Sequence, residues 1–161
     1  MATPTNLPAA EVAYTTLAAS WLNDLRGAFR ILQVVSASNG TLEASSTTTF
    51  ADTSLSVSIT PQSTSSKILI FAVGTGATTA GAQGLSYRLN RGATVLRTAN
   101  NIIYDGSTGT HANWTFLYLD SPATTSATTY KLQFARGVGA GTVYQNPDSN
   151  TSDIVVCEVS A

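Results

Sequence analysis

The residues that could carry out catalysis are few in this chain, and they lie far apart. His111 is the only histidine, so a metal site built on several imidazoles is excluded. It follows the loop-like segment 105–110, which predicts a position in a loop or at a strand edge. No Gly-x-Ser-x-Gly motif is present. The chain has 25 threonines and 18 serines, so a Ser-His-Asp combination could be assembled by chance and carries no information. We therefore predict that His111 is not catalytic.

The single cysteine and the nine carboxylates also lack the spacing of a catalytic or metal site. Cys157 lies in the apolar run 154–157, where a small buried residue is the common role, and one cysteine excludes an internal disulfide. The aspartates do not have the spacing of a calcium-binding loop. Their predicted role is to form turns, and they are Asp52, Asp105, Asp120, Asp148 and Asp153. We predict no enzyme activity, no metal and no cofactor. A polysaccharide-degrading enzyme with a carboxylate pair is the alternative.

Two glycine-rich segments and several aromatic residues are the remaining candidates for ligand contact. Segments 74–76 and 137–141 are not followed by a helical pattern that would help to bind phosphate, so both are predicted to be loops. Aromatic residues at alternating positions are predicted to belong to a core. Tyr104 and Tyr144 stand beside predicted loops, and these two are the candidate surface contacts for a ligand such as a sugar.

The composition is that of a folded β protein with few charges. Charged residues make up 11% of the chain, against about 25% in ordinary globular proteins, and hydroxyl side chains replace them. With eight basic residues and a net charge of −1, the chain lacks the basic surface that nucleic acid requires. No apolar run approaches the roughly 20 residues of a membrane span, and the first residues lack a secretory signal pattern. We expect a soluble protein made in a reducing compartment, without nucleic-acid or membrane partners.

The first 30 residues are predicted to form an extended arm and a short amphipathic helix. Pro4 and Pro8 favour extended backbone up to about residue 13. Over about 15–30 the apolar spacing becomes helical. The helix either lies on its own β domain or forms a seam between subunits, and periodicity does not decide between them. The predicted anchor consists of Leu7, Pro8, Leu17, Trp21, Leu22, Leu25 and Phe29.

The chain beyond residue 30 follows the two-residue period of β-strands. Leu55, Val57 and Ile59 alternate with serines, and the run 67–73 is apolar on both faces, as in a central strand. Turn signals separate roughly eight or nine such segments. This pattern predicts a mainly β fold, an antiparallel β-sandwich of jelly-roll type over residues 31–161, preceded by the arm and the helix.

Three segments resemble parts of small virion proteins of tailed bacteriophages. In 55–70 a strand ends in a Thr-Pro turn, a serine-rich loop follows, and a Ser-Lys-hydrophobic strand begins. In 120–132 an Asp-Ser-Pro turn precedes a Thr-Tyr-Lys-Leu strand. The Asn-Leu-Pro arm at 6–8, which leads into a helix, is similar to the attachment ends of such proteins.

The resemblance implies a structural protein of the virion that assembles in the cytoplasm of the bacterial host. It implies a homotrimeric capsid decoration, or cement, protein that contacts sister subunits and the major capsid protein. The alternative is a tail-fibre or receptor-binding protein, in which Tyr104 and Tyr144 would contact host glycans. The resemblance supplies no catalytic residues.

Overall fold

The computed structural model describes residues 31–105 and 109–160, which form two antiparallel β-sheets packed face to face. The seven predicted anchor residues lie outside this part of the chain: Leu7, Pro8, Leu17, Trp21, Leu22, Leu25 and Phe29. Within the described ranges, no helix is long and apolar enough to cross a membrane.

Over the described residues, ten strands make up the two sheets. In chain order they are β1 (Ile31–Asn39), β2 (Glu43–Ser45), β3 (Ala51–Ile59), β4 (Lys67–Thr78), β5 (Gln83–Arg91), β6 (Thr94–Asp105), β7 (His111–Asp120), β8 (Thr128–Val138), β9 (Val143–Gln145) and β10 (Ser152–Val159). A short 3₁₀ turn, Pro147–Ser149, connects β9 to β10.

The strand order is that of a jelly roll. The first sheet runs β1–β10–β4–β7, and the short strands β9 and β2 extend it beside the far end of β4. The second sheet runs β3–β8–β5–β6. When the eight long strands are numbered consecutively, these orders become 1-8-3-6 and 2-7-4-5, the two interleaved Greek keys of a jelly roll. The predicted antiparallel sandwich is therefore confirmed.

The core lies between the sheets and is built by alternation. Leu55, Val57 and Ile59 of β3 are buried while the serines between them are exposed, as predicted. Aromatic rings fill the centre: the Tyr87 ring lies 4.7 Å from the ring of Trp114 and 6.3 Å from that of Phe134, measured between centroids. Burial of these large side chains from both sheets supplies the main stabilising term for the fold.

Gly74 and Gly76 lie inside β4, so the loop predicted for 74–76 is wrong. A Cβ atom at Gly74 would lie 2.6 Å from the Trp114 ring and 2.0 Å from the hydroxyl oxygen of Ser152. One at Gly76 would lie 2.5 Å from a methyl group of Leu85. Here glycine makes room for large side chains of neighbouring strands, a use that local sequence does not distinguish from a turn.

The turn role predicted for the aspartates holds for Asp148 alone, which lies in the 3₁₀ turn, whereas Asp52, Asp105, Asp120 and Asp153 belong to strands. Asp120 is the clearest correction because it is buried at the end of β7. Arg91 Nη1 lies 2.8 Å from its carboxylate, and the hydroxyl of Tyr130 donates to the same carboxylate at 2.7 Å. Asp120 thus joins the first sheet to the second.

Candidate functional site

The outer face of the first sheet carries adjacent exposed apolar side chains. Directly opposite residues of antiparallel strands lie on the same side of a sheet, and Phe71 of β4 is opposite Leu117 of β7. Two residues earlier along β4, Leu69 lies opposite Leu119 on the same side of the sheet. We define the apolar face as the exposed members of this surface: Ile31, Val34, Phe71, Val73, Leu117 and Leu119.

The side chains of the apolar face are between 41% and 59% exposed. Leu69, Val155 and Cys157 lie between them and are half-buried or buried by these neighbours. Charge is confined to the two ends of the face, with Lys67 at one end and Asp153 at the other. A contiguous apolar surface is uncommon on a monomer and is typical of contact sites for another molecule.

The sequence signal for this face is ambiguous. An apolar run on both sides of β4 predicts a central strand, and β4 is central because it pairs with β10 and β7. A strand that has neighbours on both edges can still have its outer side exposed to solvent. In the described part of the chain no element lies over Phe71 and Val73.

The outer face of the second sheet is polar by contrast. One row crosses it from Asp52 through Gln133 and Arg88 to Thr98. Lys131 and Gln133 donate hydrogen bonds to the Asp52 carboxylate at 2.6 and 2.7 Å, and these bonds hold the pKa of Asp52 below its usual range. Exposed apolar residues of this sheet lie mainly on its edge strand β6, and they include Val95, Ile102 and Tyr104.

A polar cavity of about 290 Å³ opens on the same sheet. Its lining residues are Thr48, Phe50, Ser86, Asn100, Asn101, Arg136 and Gly137. The guanidinium of Arg88 lies 3.8 Å from the centre of the Phe50 ring, a cation–π contact beside this cavity. The walls of the cavity are polar, and the residues that line it include no carboxylate.

A second cleft lies at the end of the first sheet that is remote from Ile31. Tyr144 of β9 and His111 of β7 flank Ala77 of β4 in one row. The resulting Tyr144 cleft has a volume of about 240 Å³ and is lined by Leu42, Ala77, Thr78, Thr79, His111, Tyr144, Pro147 and Asp148. His111 Nδ1 lies 2.9 Å from Asp148 Oδ2, and both side chains are more than half exposed. An aromatic ring among hydroxyl, imidazole and carboxylate groups is suited to stack on and hydrogen-bond a sugar.

A buried polar network holds the wall of the Tyr144 cleft in place. The Tyr87 hydroxyl donates to Gln145, whose side-chain amide donates to Asn146 at 3.0 Å. Asn146 in turn donates to the backbone carbonyl of Asn39 at 2.8 Å. Burial raises the pKa of Tyr87, so its hydroxyl keeps the proton that this network requires.

The backbone beside this network is unusual. Asn146, Asp148 and Ser149 have left-handed φ angles of 54°, 56° and 61°, which non-glycine residues seldom adopt. The buried amide of Asn146 fixes the first of these, and the backbone turn then carries Asp148 toward His111. Sequence spacing could not reveal this pair because His111 begins β7, whereas Asp148 lies in the turn between β9 and β10.

The two predicted ligand contacts lie in different places. Tyr144 is half-buried in its cleft, whereas Tyr104 is 56% exposed on the outer side of the second sheet, opposite Gly84. The structure therefore does not bring them together. Cys157 is buried and unpaired, as predicted.

The carboxylates whose side chains are described each contact a different partner. Their partners are the Ser54 amide for Glu43, Lys131 for Asp52, Arg91 for Asp120, His111 for Asp148, Ser38 for Asp153 and Gln33 for Glu158. Within residues 31–105 and 109–160, no three histidine, cysteine or acidic side chains are grouped to hold a metal ion.

Among solved structures, the chain is similar to one in the structure of infectious bursal disease virus, Gx strain, with 12% identity and a TM-score of 0.45. That match covers 80% of this chain and 32% of the viral one. It is also similar to the Stig cyclase Fisc from Fischerella sp. TAU, with 17% identity and a TM-score of 0.35 over 66% of this chain and 54% of the cyclase. This chain thus spans about a third and about half of these two chains. No protein-family model and no curated protein matches it, and similarities at this level assign no function.

Proposed function

We propose that this chain is a structural protein of a tailed-bacteriophage virion, a trimeric capsid decoration protein that stabilises the head by non-covalent packing. The observation that carries the proposal is the apolar face. Its six large exposed side chains, with Leu69, Val155 and Cys157 between them, suit a surface that another protein covers. The low content of charged residues, 11% of the chain, reduces repulsion between many copies held close together on a particle.

In this role residues 1–30 bind the major capsid protein and sister subunits, while the sandwich projects outward. The mechanism is burial of apolar surface, which contributes about 25 cal/mol per Å² and is repeated at every symmetry-related position. The jelly-roll strand order agrees with this role by analogy, since the fold occurs in viral capsid proteins and also in lectins.

Binding to capsids that lack the protein tests the anchor. Leu22→Ser combined with Phe29→Ser interrupts the predicted stripe, and Asn23→Ser combined with Arg26→Ser alters the other side of the same predicted helix. We expect the first variant to bind at least about tenfold more weakly, and the second to bind like the wild type. Circular dichroism of both variants confirms that the β domain is folded.

Removal of residues 1–30 is the more severe test of the same anchor. We expect the remaining chain to keep its β-sheet spectrum and to lose attachment to the particle. Normal decoration by the shortened protein would contradict the role of the anchor. Antibody labelling of intact virions gives the location, because a label on tail tips instead of heads would contradict the decoration role.

The Tyr144 cleft favours a second candidate, a tail-fibre or receptor-binding protein that contacts host glycans. It lies at the end of the first sheet remote from Ile31, away from where the anchor joins. Under this candidate, Tyr144→Ala abolishes binding to host surface polysaccharide and Tyr104→Ala, on the other sheet, leaves it unchanged. Equal loss in both variants, or no binding by the wild type, would exclude the cleft as the site. Release of reducing ends in the same incubation would reveal a polysaccharide-degrading enzyme.

A further inference from the structure

A bulge in β6 lies on the outer face of the second sheet, at the polar cavity. The register of β6 against β5 leaves the three residues 100–102 opposite Ser86 alone. Within this bulge Asn101 has a left-handed φ of 50°, and its backbone amide donates a hydrogen bond to the Ser86 hydroxyl at 2.9 Å. Non-glycine residues held in this conformation are concentrated at ligand-binding and catalytic sites. The bulge therefore singles out the polar cavity as a candidate binding site.

Two glycines beneath the bulge make room for the Asn101 side chain. A Cβ atom at Gly84 would lie 2.1 Å from Asn101 Oδ1, and one at Gly137 would lie 2.0 Å from it. Asn101 Cγ is farther from the same two positions, at 2.8 and 3.0 Å, so the carboxamide points its oxygen toward the glycines. Asn101 Oδ1 is buried there without a hydrogen-bond partner in the described part of the chain. The amide nitrogen, on the other branch of the carboxamide, faces away from the glycines and is available as a donor to a ligand.

Two guanidinium groups at the cavity add positive charge and further donors. Arg136 lines the cavity, and the Arg88 guanidinium lies against Phe50, which also lines it. The Nε atoms of both arginines are buried and have no hydrogen-bond partner among the described residues. Asp52, on the same outer face, forms its ion pair with Lys131 instead. Because a buried donor without an acceptor costs free energy, both arginines favour a ligand that supplies acceptor atoms.

We propose that the polar cavity binds a sugar that carries a carboxylate group, such as a uronic acid unit of an acidic polysaccharide. Guanidinium groups form strong hydrogen bonds to carboxylates, and no lining residue carries a carboxylate that would repel the ligand. The hydroxyl and amide groups of Thr48, Ser86 and Asn100 are suited to sugar hydroxyls. The volume of about 290 Å³ suits one sugar unit, because small-molecule sites span about 300–1,000 Å³.

Inorganic phosphate or sulfate fits the cavity less well than an acidic sugar. Sites for these anions usually present several free backbone N–H groups, at a helix N-terminus or in a turn. Here the backbone amide of Asn101 donates to Ser86, and that of Arg136 donates to the Thr47 carbonyl at 2.9 Å. The donors left for a ligand belong to side chains spread around the cavity, which matches a ligand with several separated polar groups. The inference goes beyond the proposed function and uses neither the apolar face nor residues 1–30.

Titration of the full-length protein with sodium glucuronate, glucose and sodium phosphate tests the inference. Nuclear magnetic resonance spectra of the backbone amides give both the affinity and the location of binding. We expect saturable shifts with glucuronate at Ser86, Asn101 and Gly137, and at least about tenfold weaker binding of glucose and of phosphate. Equal binding of glucose would remove the role of charge, and equal binding of phosphate would remove the role of the sugar. Either result would overturn the inference, as would no binding of glucuronate or shifts centred on Tyr144.

Asn101→Asp tests the charge of the cavity with little change in shape. The new carboxylate repels an anion, whereas aspartate tolerates the left-handed backbone as asparagine does. We expect the dissociation constant for glucuronate to rise at least about 30-fold, with no fall in the midpoint temperature of unfolding. Unchanged binding by this variant would overturn the inference.

Arg136→Gln and Arg97→Gln form a matched pair, because each removes one positive charge from the second sheet. Arg136 lines the cavity, whereas Arg97 is exposed on β6 and is absent from the lining. We expect the dissociation constant for glucuronate to rise at least about tenfold in the first variant and less than about twofold in the second. Equal effects in the two variants would show that overall charge, rather than the cavity, attracts the sugar, and would overturn the inference.

Discussion

The two outer faces of the sandwich differ in how they meet water. On the second sheet, a row of polar side chains crosses the strands, and Asp52 accepts hydrogen bonds from Lys131 and Gln133. On the first sheet, the corresponding positions hold leucine, valine and phenylalanine, and Phe71 lies opposite Leu117 with nothing from the described part of the chain above them. One face is polar and pairs the Asp52 carboxylate with its neighbours, whereas the other leaves apolar surface uncovered.

The faces of the sandwich therefore differ in whether they stabilise the fold or offer a surface to a partner. Both inner faces are apolar and pack against each other, so they account for the fold. The outer face of the second sheet is compatible with a monomer in water. The apolar face contributes less to folding of the single chain than the inner faces do, because its side chains stay 41–59% exposed, and a partner that covers it would add further stabilisation.

The largest expected difference in the free energy of unfolding is between substitutions at two neighbouring residues of β4. Ile70 is fully buried on the inner side and Phe71 is 41% exposed on the apolar face. In dilute monomer, Ile70→Ala should lower the free energy of unfolding by about 2–5 kcal/mol because it leaves a cavity. Phe71→Ser should change it by less than about 1 kcal/mol. Urea denaturation measures both values, and equal losses would show that the apolar face is already covered within one chain.

Substitutions of two glycines, one inside β4 and one in the hairpin after β5, should give the next largest difference in stability. Gly74→Ala places a methyl group against Trp114 and Ser152, which should cost about 1–3 kcal/mol of stability. Gly92→Ala, in the hairpin between β5 and β6, meets no atom within 4 Å but must adopt a φ of 53°. Its cost should be about 1 kcal/mol, from backbone strain alone. Thermal unfolding of both variants ranks them, and a harmless Gly74→Ala would contradict the close packing beneath the apolar face.

The smallest expected difference is in how stability depends on pH, and it compares Glu158 of the first sheet with Asp52 of the second. Burial alone would raise the pKa of Glu158, but hydrogen bonds from Gln33 and from the Gln62 amide outweigh it and keep the pKa below its ordinary value of 4.5. The ionised carboxylate therefore stabilises the fold above about pH 4.5, and that contribution is lost as the pH falls through the lowered pKa.

Urea denaturation between pH 6 and about pH 3 measures this contribution. Glu158→Gln should flatten the acid side of the stability curve, whereas Asp52→Asn should have the smaller effect because the Asp52 side chain is 51% exposed and screened by water. A steeper acid loss after Glu158→Gln would contradict the assignment of its pKa shift. A larger effect from Asp52→Asn would place the stronger electrostatic site on the polar face instead.

Much of the fold could be predicted because alternation survives in the sequence of each strand. Leu55, Val57 and Ile59 alternate with serines, and this pattern gave both the strand and its buried side. Gly74 could not be placed in the same way, since a glycine that makes room for Trp114 looks the same in sequence as one that forms a turn.

The candidate sites were less accessible to such reasoning. The sequence predicts Tyr144 as a surface contact, but its neighbours His111, at the start of β7, and Asp148, in the turn after β9, are brought beside it only by the pairing of the first sheet. The apolar face had a visible signal, namely an apolar run at 67–73 and apolar residues on both sides of β7. That signal fits burial on both sides equally well, and only strand order reveals which side is open.

The β class, the inward side of most strands and the shortage of charge follow from the sequence, because they depend on side-chain type and on a period of two. The tertiary structure alone decided which outward residues become neighbours. Strands that are distant along the chain are hydrogen-bonded in an order that only the closed sandwich specifies, as when β10 inserts between β1 and β4. That insertion sets Val34, Phe71 and Leu117 on one open surface, and no local pattern encodes it.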